Sequence, residues 1–231
     1  MRELFPQSAA DVDLAEAYAA PAGRHLRVNF AASADGAVTV DGRSRGLSSD
    51  ADRAVFHLLR DMCDVVLVGA GTARTENYGG ARQGPRGTPP IAVVSRSLRF
   101  DPASRLFTDT AVQPIVLTCA AAPDDRRLAL AGIADVVVAG DDDVDLAAAL
   151  DELADRGLVH VLCEGGPHLF GALLAAGLVD ELCLTIAPLL AGGTAGRIVD
   201  GLSAQLVTPM VLGQVLVEDG HLFLRYSTVH G

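Results

Sequence analysis

The stretch that decides the fold runs from Val159 to Ala176 and reads VHVLCEGGPHLFGALLAA. Its first five residues, VHVLC, form an apolar run with the length of a buried strand. The chain then breaks at Glu164-Gly165-Gly166-Pro167 and continues in a helical pattern from His168. Glycines let a ligand approach the backbone closely, and the free N–H groups at a helix start attract anions. The pattern therefore predicts a strand–turn–helix unit whose turn either binds a phosphate or only connects the two elements.

The composition restricts the classes of function. A chain of 231 residues with 50% hydrophobic content suffices for one large α/β domain. The net charge of −11 argues against binding to nucleic acid or to an anionic membrane. All 18 basic residues are arginine, which excludes a lysine Schiff base and a Walker-A phosphate loop. Without a signal-like N-terminus or a bilayer-length apolar run, the sequence predicts a soluble, cytoplasmic protein.

The four cysteines predict buried free thiols. They are Cys63, Cys119, Cys163 and Cys183, and each lies in an apolar run. No pair forms a C-x-x-C motif, so the ligand spacing typical of a zinc site is missing. Small apolar side chains in a reducing compartment explain this arrangement, and we expect no metal centre.

Strand-like and helical segments alternate along most of the chain. The predicted strands are 27–33, 64–68, 90–94, 114–118, 134–139, 159–163 and 180–186, followed by a hairpin over 211–227. The predicted helices are a short one over 11–20, one over 51–62 capped by 48–50, one over 123–130, one over 146–156 and one from 168. This alternation predicts a mostly parallel sheet, and the hairpin predicts antiparallel strands at the C-terminal end.

Three turns at predicted strand ends are compatible with phosphate binding: Gly69–Thr72, Ser95–Ser97 and Glu164–His168. Thr72 could cap a helix or contact a phosphate or ribose. Ser95 and Arg96 supply a hydroxyl and a guanidinium, which together can hold the 2′-phosphate of an NADP-type cofactor. The three turns together suit a dinucleotide lying across the sheet.

Two further features concern a substrate. Asp35 follows the first strand in an Asp-Gly turn, where it is either a turn former or a carboxylate at the mouth of the sheet. Residues 74–99 contain five arginines against Glu76 alone, a local charge of +4 on a protein of net charge −11. This arginine-rich segment suggests an anionic ligand, the alternative being a solvated basic loop.

Five motifs occur together in a characteristic order. They are Ser33-Ala34-Asp35-Gly36, Gly69-Ala70-Gly71-Thr72, Val94-Ser95-Arg96, Glu164-Gly165-Gly166-Pro167, and Val179–Leu182 through Ile186–Pro188. As a set they resemble the reductase domain of riboflavin biosynthesis, a pyrimidine reductase with a dihydrofolate-reductase-like, three-layer α/β fold. In bacteria that domain is often fused to a zinc deaminase, whose H-x-E and P-C-x-x-C motifs are absent here. The resemblance is therefore to a stand-alone reductase, with an N-terminal extension over 1–26 and the reductase domain over 27–231.

The resemblance implies NADPH-dependent reduction of a ribosylamino-pyrimidine 5′-phosphate to the ribitylamino product by a homodimer. Hydride would go to the ribose C1′, and Asp35 would be the catalytic residue that helps to supply or steer the accompanying proton. The implied substrate-binding residues are Arg60 and Arg82, at positions that hold the substrate phosphate in the family, and Glu76. The implied cofactor-binding residues are Gly71, Thr72, Ser95, Arg96, Glu164, Gly165, Gly166, Pro167, His168 and Leu169.

The sequence departs from the family pattern on the substrate side. The family's Thr-Val-x-x-Asp-x-Pro run reads here as the segment from Thr72 to Tyr78, with Glu76 at the Asp position and no proline. Leu47 stands where the family often has an aromatic residue before the helix cap. Two alternatives therefore stay open: a reductase of dihydrofolate or another pteridine on the same scaffold, and a non-catalytic nucleotide-binding protein.

Overall fold

The computed structural model describes residues 1–229, which form one ten-stranded sheet flanked by helices. The strands are β1 Arg2–Phe5, β2 His25–Ser33, β3 Val65–Gly69, β4 Ile91–Val94, β5 Ile115–Thr118, β6 Asp135–Val138, β7 His160–Cys163, β8 Glu181–Ala187, β9 Met210–Glu218 and β10 His221–Thr228. The helices are α1 Leu14–Ala17, α2 Asp50–Met62, α3 Ala70–Thr75, α4 Arg105–Thr108, α5 Asp124–Ala129, α6 Leu146–Asp155 and α7 Pro167–Ala175, with a 3-10 helix over Ser44–Leu47.

Strand β2 lies at the centre of the sheet, whose order is β1-β9-β10-β8-β2-β7-β3-β4-β5-β6. Val28 of β2 is opposite Cys163 of β7 on one side and Leu182 of β8 on the other, and both pairings are parallel. The strands from β7 to β6 continue in parallel, whereas β10, β9 and β1 pair antiparallel. The predicted α/β architecture, mostly parallel with antiparallel C-terminal strands, is confirmed.

Helices cover both faces of the sheet and make the fold three-layered. Leu153 of α6 and Leu173 of α7 are fully buried in the cluster on one face. Val55 and Leu59 of α2 are buried in the cluster on the other face. Each such side chain contributes about 1.5–3 kcal/mol through removal from water. Within residues 1–229, no helix has both the length and the apolarity needed to cross a membrane.

The N-terminal segment contributes a strand to the sheet. Residues 1–26, predicted as an N-terminal extension, contain β1, which pairs with β9 and places Glu3 opposite Leu216. The helix expected over 11–20 is one turn, α1, with Asp13 as its N-cap. A four-residue edge strand shows almost no periodicity, so its sequence carries little signal.

The four cysteines are buried and free, as predicted. Cys163 lies at the end of β7, directly before the glycine turn. Burial raises the pKa of its thiol to about 12, so it stays protonated near neutral pH. These thiols are therefore core side chains, and Cys163 is not a nucleophile.

A buried charge cluster joins β2, β8 and β10 at the edge of the sheet opposite the three turns. Arg27 Nε donates to Glu181 Oε1 at 2.6 Å, and both side chains are about 6% exposed. His25 Nε2 and Arg225 Nε approach Glu181 Oε2 at 3.6 and 3.7 Å. Burial alone would raise the pKa of Glu181, but contacts with His25, Arg27 and Arg225 outweigh it and lower the pKa to about 2.

This cluster makes part of the stability depend on pH. Because the folded-state pKa of Glu181 is lowered, its contribution is complete above the ordinary pKa of a glutamate and is lost as pH falls toward about 2. We expect Glu181→Gln to cost on the order of 3 kcal/mol near neutral pH and progressively less in acid. Urea unfolding across this pH range measures the difference, with the exposed Glu152→Gln as the control. A difference that does not change with pH would contradict this assignment.

Candidate active site

The carboxyl ends of β7, β3 and β4 are neighbours and bring the three predicted turns to one edge of the sheet. The backbone joins the first two turns directly, because Gly69 N donates to Gly165 O at 2.8 Å. Glu164 N donates to Leu67 O at 2.9 Å. Open parallel sheets bind their ligands at this edge, so the location agrees with a binding site.

The turn before α7 has room only for glycines. Gly165 has a φ of +86°, and a Cβ there would lie 2.6 Å from the ring of Phe30. A Cβ on Gly166 would overlap Thr72 Oγ1 well inside van der Waals contact. By contrast, no atom lies within 4 Å of a Cβ built on Gly71. The chain therefore packs tightly at 165–166 and leaves open space above Gly71.

That open space is a cleft of about 290 Å³ at the start of α7. Its lining residues are Gly69, Gly71, Thr72, Thr75, Glu76, Gly166, Pro167, His168 and Leu169. Pro167 is the first residue of α7, where a missing N–H costs nothing, and the following N–H groups have no acceptor within the helix. Free amides and the positive end of a helix suit an anionic group such as a pyrophosphate.

A larger cavity of about 470 Å³ adjoins this cleft. The two share Thr72, Glu76, Gly166 and Pro167. The rest of the cavity is lined by Asn29, Phe30, Ala31, Val38, Thr39, Ser44, Arg45, Ser48, Asp52, Arg53, Phe56, Tyr78 and Glu164. Its volume and mixed lining are typical of a small-molecule site, and its contact with the cleft allows two ligands to meet.

Glu164 lines the cavity two residues before Gly166 of the shared wall, and 3% of its side chain is exposed. Its carboxylate accepts two bonds from Arg60, Nε to Oε1 and Nη2 to Oε2, both at 2.7 Å. Tyr78 donates its hydroxyl to Glu164 Oε2, also at 2.7 Å. Glu164 was predicted among the cofactor-binding residues; the structure directs its carboxylate to Arg60, Tyr78 and the cavity.

The arginines expected to hold a substrate phosphate are placed differently from the prediction. The Arg60 guanidinium is occupied by Glu164 and does not line the cavity. Arg82 is exposed and also lies outside the cavity lining. Burial lowers the pKa of His57 on α2, and the positive charge of Arg82 lowers it further. The arginines that do line the cavity are Arg45 and Arg53, which sequence reasoning missed.

Glu76, the third predicted substrate residue, lines both the cavity and the cleft. Its Oε1 accepts bonds from the backbone N of Ser44 at 3.1 Å and from Ser44 Oγ at 3.0 Å. The side chain thereby connects the end of α3 to the 3-10 helix on the other wall of the cavity. This contact gives Glu76 a role in shaping the cavity that does not require a ligand.

Asp35 is placed outside the cavity, which argues against its predicted catalytic role. Its Oδ1 accepts from Ser33 Oγ at 2.5 Å and from Ala191 N at 3.1 Å, and its Oδ2 accepts from Gly192 N at 2.8 Å. The Ser33 bond and then the two backbone bonds lower its pKa to about 2. An exposed carboxylate this acidic cannot supply a proton near neutral pH. Its contacts tie the turn after β2 to the β8–β9 connection, a structural role that does not require a ligand.

The turn after β4 is only partly available to a ligand. Ser95 is buried and its Oγ accepts from Leu98 N at 3.0 Å, so its hydroxyl already caps the turn. Arg96 is exposed. Two further arginines reach the same turn: Arg74 Nη1 donates to Arg99 O, and Arg126 Nη1 donates to Ser97 O. The basic surface is therefore larger than the predicted Ser95–Arg96 pair.

His168 and Leu169 of α7, both predicted to bind the cofactor, line the cleft. The His168 side chain is 78% exposed and lies 3.8 Å from an Asp200 carboxylate oxygen. Leu169 is buried and packs into the core with Phe170. Both can meet a ligand in the cleft through their backbone amides, which is where an anion is held at a helix start.

Comparison with known proteins places the chain among the riboflavin-pathway reductases. It matches the RibD C-terminal domain family over residues 24–219. A 2,5-diamino-6-ribosylamino-4(3H)-pyrimidinone 5′-phosphate reductase from Methanothermobacter thermautotrophicus is 33% identical over 182 residues, covering 77% of this chain and 84% of that protein. The protein of the same name from Archaeoglobus fulgidus is 28% identical, covering 73% and 82%.

A solved structure supports the same assignment. The pyrimidine reductase-like protein from Corynebacterium diphtheriae superimposes with a TM-score of 0.82 at 29% identity, over 90% of this chain and 93% of that one. The match over residues 24–219 includes the cleft, the cavity and the central strand β2. The chain belongs to the RibD C-terminal domain family.

Proposed function

We propose that this protein reduces a ribosylamino-pyrimidine 5′-phosphate to the ribitylamino product in riboflavin biosynthesis, with NADPH as the reductant. The observation that carries the proposal is the wall shared by the cleft and the cavity, formed by Thr72, Glu76, Gly166 and Pro167. A cofactor held in the cleft and a substrate held in the cavity would meet there. The reductase names of the relatives support this reaction class.

The residues of the chain would act mainly by binding and orientation. The α7 amides and the open space above Gly71 would hold the cofactor's pyrophosphate, and Thr72 would contact the cofactor near the shared wall. When bound, the nicotinamide supplies the hydride that goes to C1′ of the ring-opened substrate. Phe30 and Phe56 line the cavity and would exclude water from the reacting carbon. Because Asp35 lies outside, the accompanying proton comes from another cavity group or from water.

The test is NADPH oxidation, followed as loss of its absorbance, with purified protein and the ribosylamino-pyrimidine phosphate. We expect oxidation with this substrate and none with dihydrofolate. Oxidation with dihydrofolate alone would replace the proposal by a pteridine reductase. Binding of NADPH without turnover of either compound would make the protein a nucleotide-binding protein.

Arg96 provides a test of the cofactor preference. It is exposed beside the turn after β4, where it would pair with the 2′-phosphate that distinguishes NADPH from NADH. We expect Arg96→Ala to weaken NADPH binding about tenfold or more while changing NADH affinity little. Fluorescence titration with both nucleotides measures this, with Arg24→Ala, which lies at the opposite edge of the sheet, as the control. Equal losses for the two nucleotides would remove Arg96 from 2′-phosphate recognition.

We further propose that residues 27–231 are the reductase domain and that the protein acts in the cytoplasm as a homodimer. Three side chains support the dimer: Leu4 and Phe5 on the edge strand β1 and Val211 on the neighbouring strand β9 are large, apolar and 41–57% exposed. Apolar surface of this kind favours contact with another protein surface. Light scattering coupled to size-exclusion chromatography would test this, and a monomer mass at high protein concentration would refute it.

A further inference from the structure

Tyr78 lies three residues after the end of α3, and its side chain reaches the buried Glu164 carboxylate. Its ring lines the cavity, and its hydroxyl points inward to Glu164. Burial, followed by the charge of Glu164, raises the pKa of this phenol well above its ordinary value. The hydroxyl therefore stays protonated and donates to the carboxylate at any pH near neutral.

Two aromatic rings and a carboxylate enclose the guanidinium of Arg60. Its Cζ lies 4.5 Å from the centre of the Phe56 ring and 5.7 Å from that of Tyr78. The same guanidinium forms the two-bond contact with Glu164. The two rings and the carboxylate thus fix Arg60 together. This restricts the rotation of both the Arg60 and the Glu164 side chains.

We propose that Tyr78 is a positioning residue for the reduction: its hydroxyl, together with Arg60, holds the Glu164 carboxylate in one orientation in the cavity, beside the turn that the cavity shares with the cleft. This role rests on the proposed function, because it presumes that substrate and cofactor meet at the wall of Thr72 and Gly166. Tyr78 acts through Glu164 and does not itself contact the reacting atoms.

The number of donors explains why the hydroxyl matters. A carboxylate has about four acceptor directions. Arg60 takes one on each oxygen of Glu164, and Tyr78 takes a second on Oε2. An acceptor direction on Oε1 is then left for an N–H or O–H donor of a ligand in the cavity. Without the Tyr78 hydroxyl, the two oxygens become equivalent, and a ligand donor can bind at either one.

The orientation of the Glu164 carboxylate affects kcat more than KM. A ligand held by Glu164 in two alternative ways still binds, but only one way presents its carbon to the cofactor. Loss of the hydroxyl should therefore lower kcat more than it raises KM. Affinity for NADPH should change little, since the cleft that would hold the pyrophosphate is built from Gly71, Gly166 and the start of α7.

Tyr78→Phe removes the hydroxyl and keeps the ring against Arg60. We expect kcat for NADPH oxidation with the ribosylamino-pyrimidine phosphate to fall about tenfold, with KM and the NADPH dissociation constant each changing less than about twofold. Tyr226→Phe, a substitution of the same kind in β10 and outside the cavity lining, should retain wild-type kinetics. Wild-type kcat in Tyr78→Phe would overturn the proposal.

A second measurement separates positioning from a general packing effect. Tyr78→Phe is repeated in the Glu164→Gln background, where the hydroxyl has no carboxylate to orient. We expect its effect on kcat to shrink to about twofold or less there. An equal loss in both backgrounds would show that Tyr78 does not act through Glu164 and would overturn the proposal. A wild-type protein that does not oxidise NADPH with this substrate is a different result: it refutes the proposed function, and the positioning role fails with it.

Discussion

Gly166→Ala is expected to weaken NADPH binding by about a hundredfold or more while leaving the fold intact. The new Cβ would overlap Thr72 Oγ1, and both residues form the wall shared by the cleft and the cavity. Either the Thr72 side chain rotates or the turn shifts to relieve the overlap, and both changes alter the shared wall. Fluorescence titration measures the affinity, and circular dichroism shows whether the fold is retained.

Two variants make this result specific to the turn. Gly213→Ala adds the same methyl group in β9, where the nearest atom, Arg225 O, would lie at an ordinary 3.5 Å. It should bind NADPH as the wild type does. Adding Thr72→Ala to Gly166→Ala removes the overlapping hydroxyl and should recover part of the affinity. Unchanged binding in Gly166→Ala would show that the cofactor does not use this turn.

Arg60→Met is expected to lower the free energy of unfolding by about 3–5 kcal/mol. Removal of the guanidinium leaves the Glu164 carboxylate buried, with Tyr78 as its remaining side-chain donor among the described residues. A buried charge without its counter-charge is costly because it has lost its hydration. The pKa of Arg60 also indicates that the pair is stabilising. Burial alone would lower this pKa, but the contact with Glu164 raises it above its ordinary value. Urea unfolding near neutral pH measures the loss.

The double substitution Arg60→Met with Glu164→Gln tests the cause of that loss. It removes both charges, so most of the stability should return, while NADPH oxidation stays low because Glu164 is missing. Arg24→Met breaks an exposed pair with Asp151 and should cost at most about 1 kcal/mol. If Arg60→Met costs no more than Arg24→Met, the buried pair is not a stabilising contact.

The fold could be predicted from sequence because its signals are local. Each central strand is a short apolar run, and turns containing glycine or polar residues separate the strands from the helices. The parallel order and the antiparallel C-terminal hairpin follow from that alternation. Strand β1 could not be predicted, because four residues at an edge carry no clear pattern and its partner β9 is about 210 residues away in the chain.

The site was predictable only in part, for the same reason. Glycines mark the turns at Gly69–Thr72 and Glu164–Pro167 in the sequence, and the structure places the two turns side by side. The pairing of Arg60 with Glu164 spans 104 positions, and nothing local marks either residue as the other's partner. The prediction that Arg60 binds a substrate phosphate therefore rested only on the match of its position to the family pattern. That pattern likewise gave Asp35 a catalytic role, although backbone amides of a distant loop donate hydrogen bonds to its carboxylate.

The central location of β2 has a consequence for how the protein is made. Its two neighbours, β7 and β8, lie at residues 160–163 and 181–187, although β2 itself is complete at residue 33. During synthesis, β2 therefore remains unpaired until most of the chain has been translated. This strand supplies Asn29, Phe30 and Ala31 to the cavity. We expect ribosome-bound chains ending before residue 181 to be readily cleaved by protease within 25–33. The cavity is thus assembled late in synthesis, and a chaperone that shields this apolar strand would protect the nascent protein during the interval.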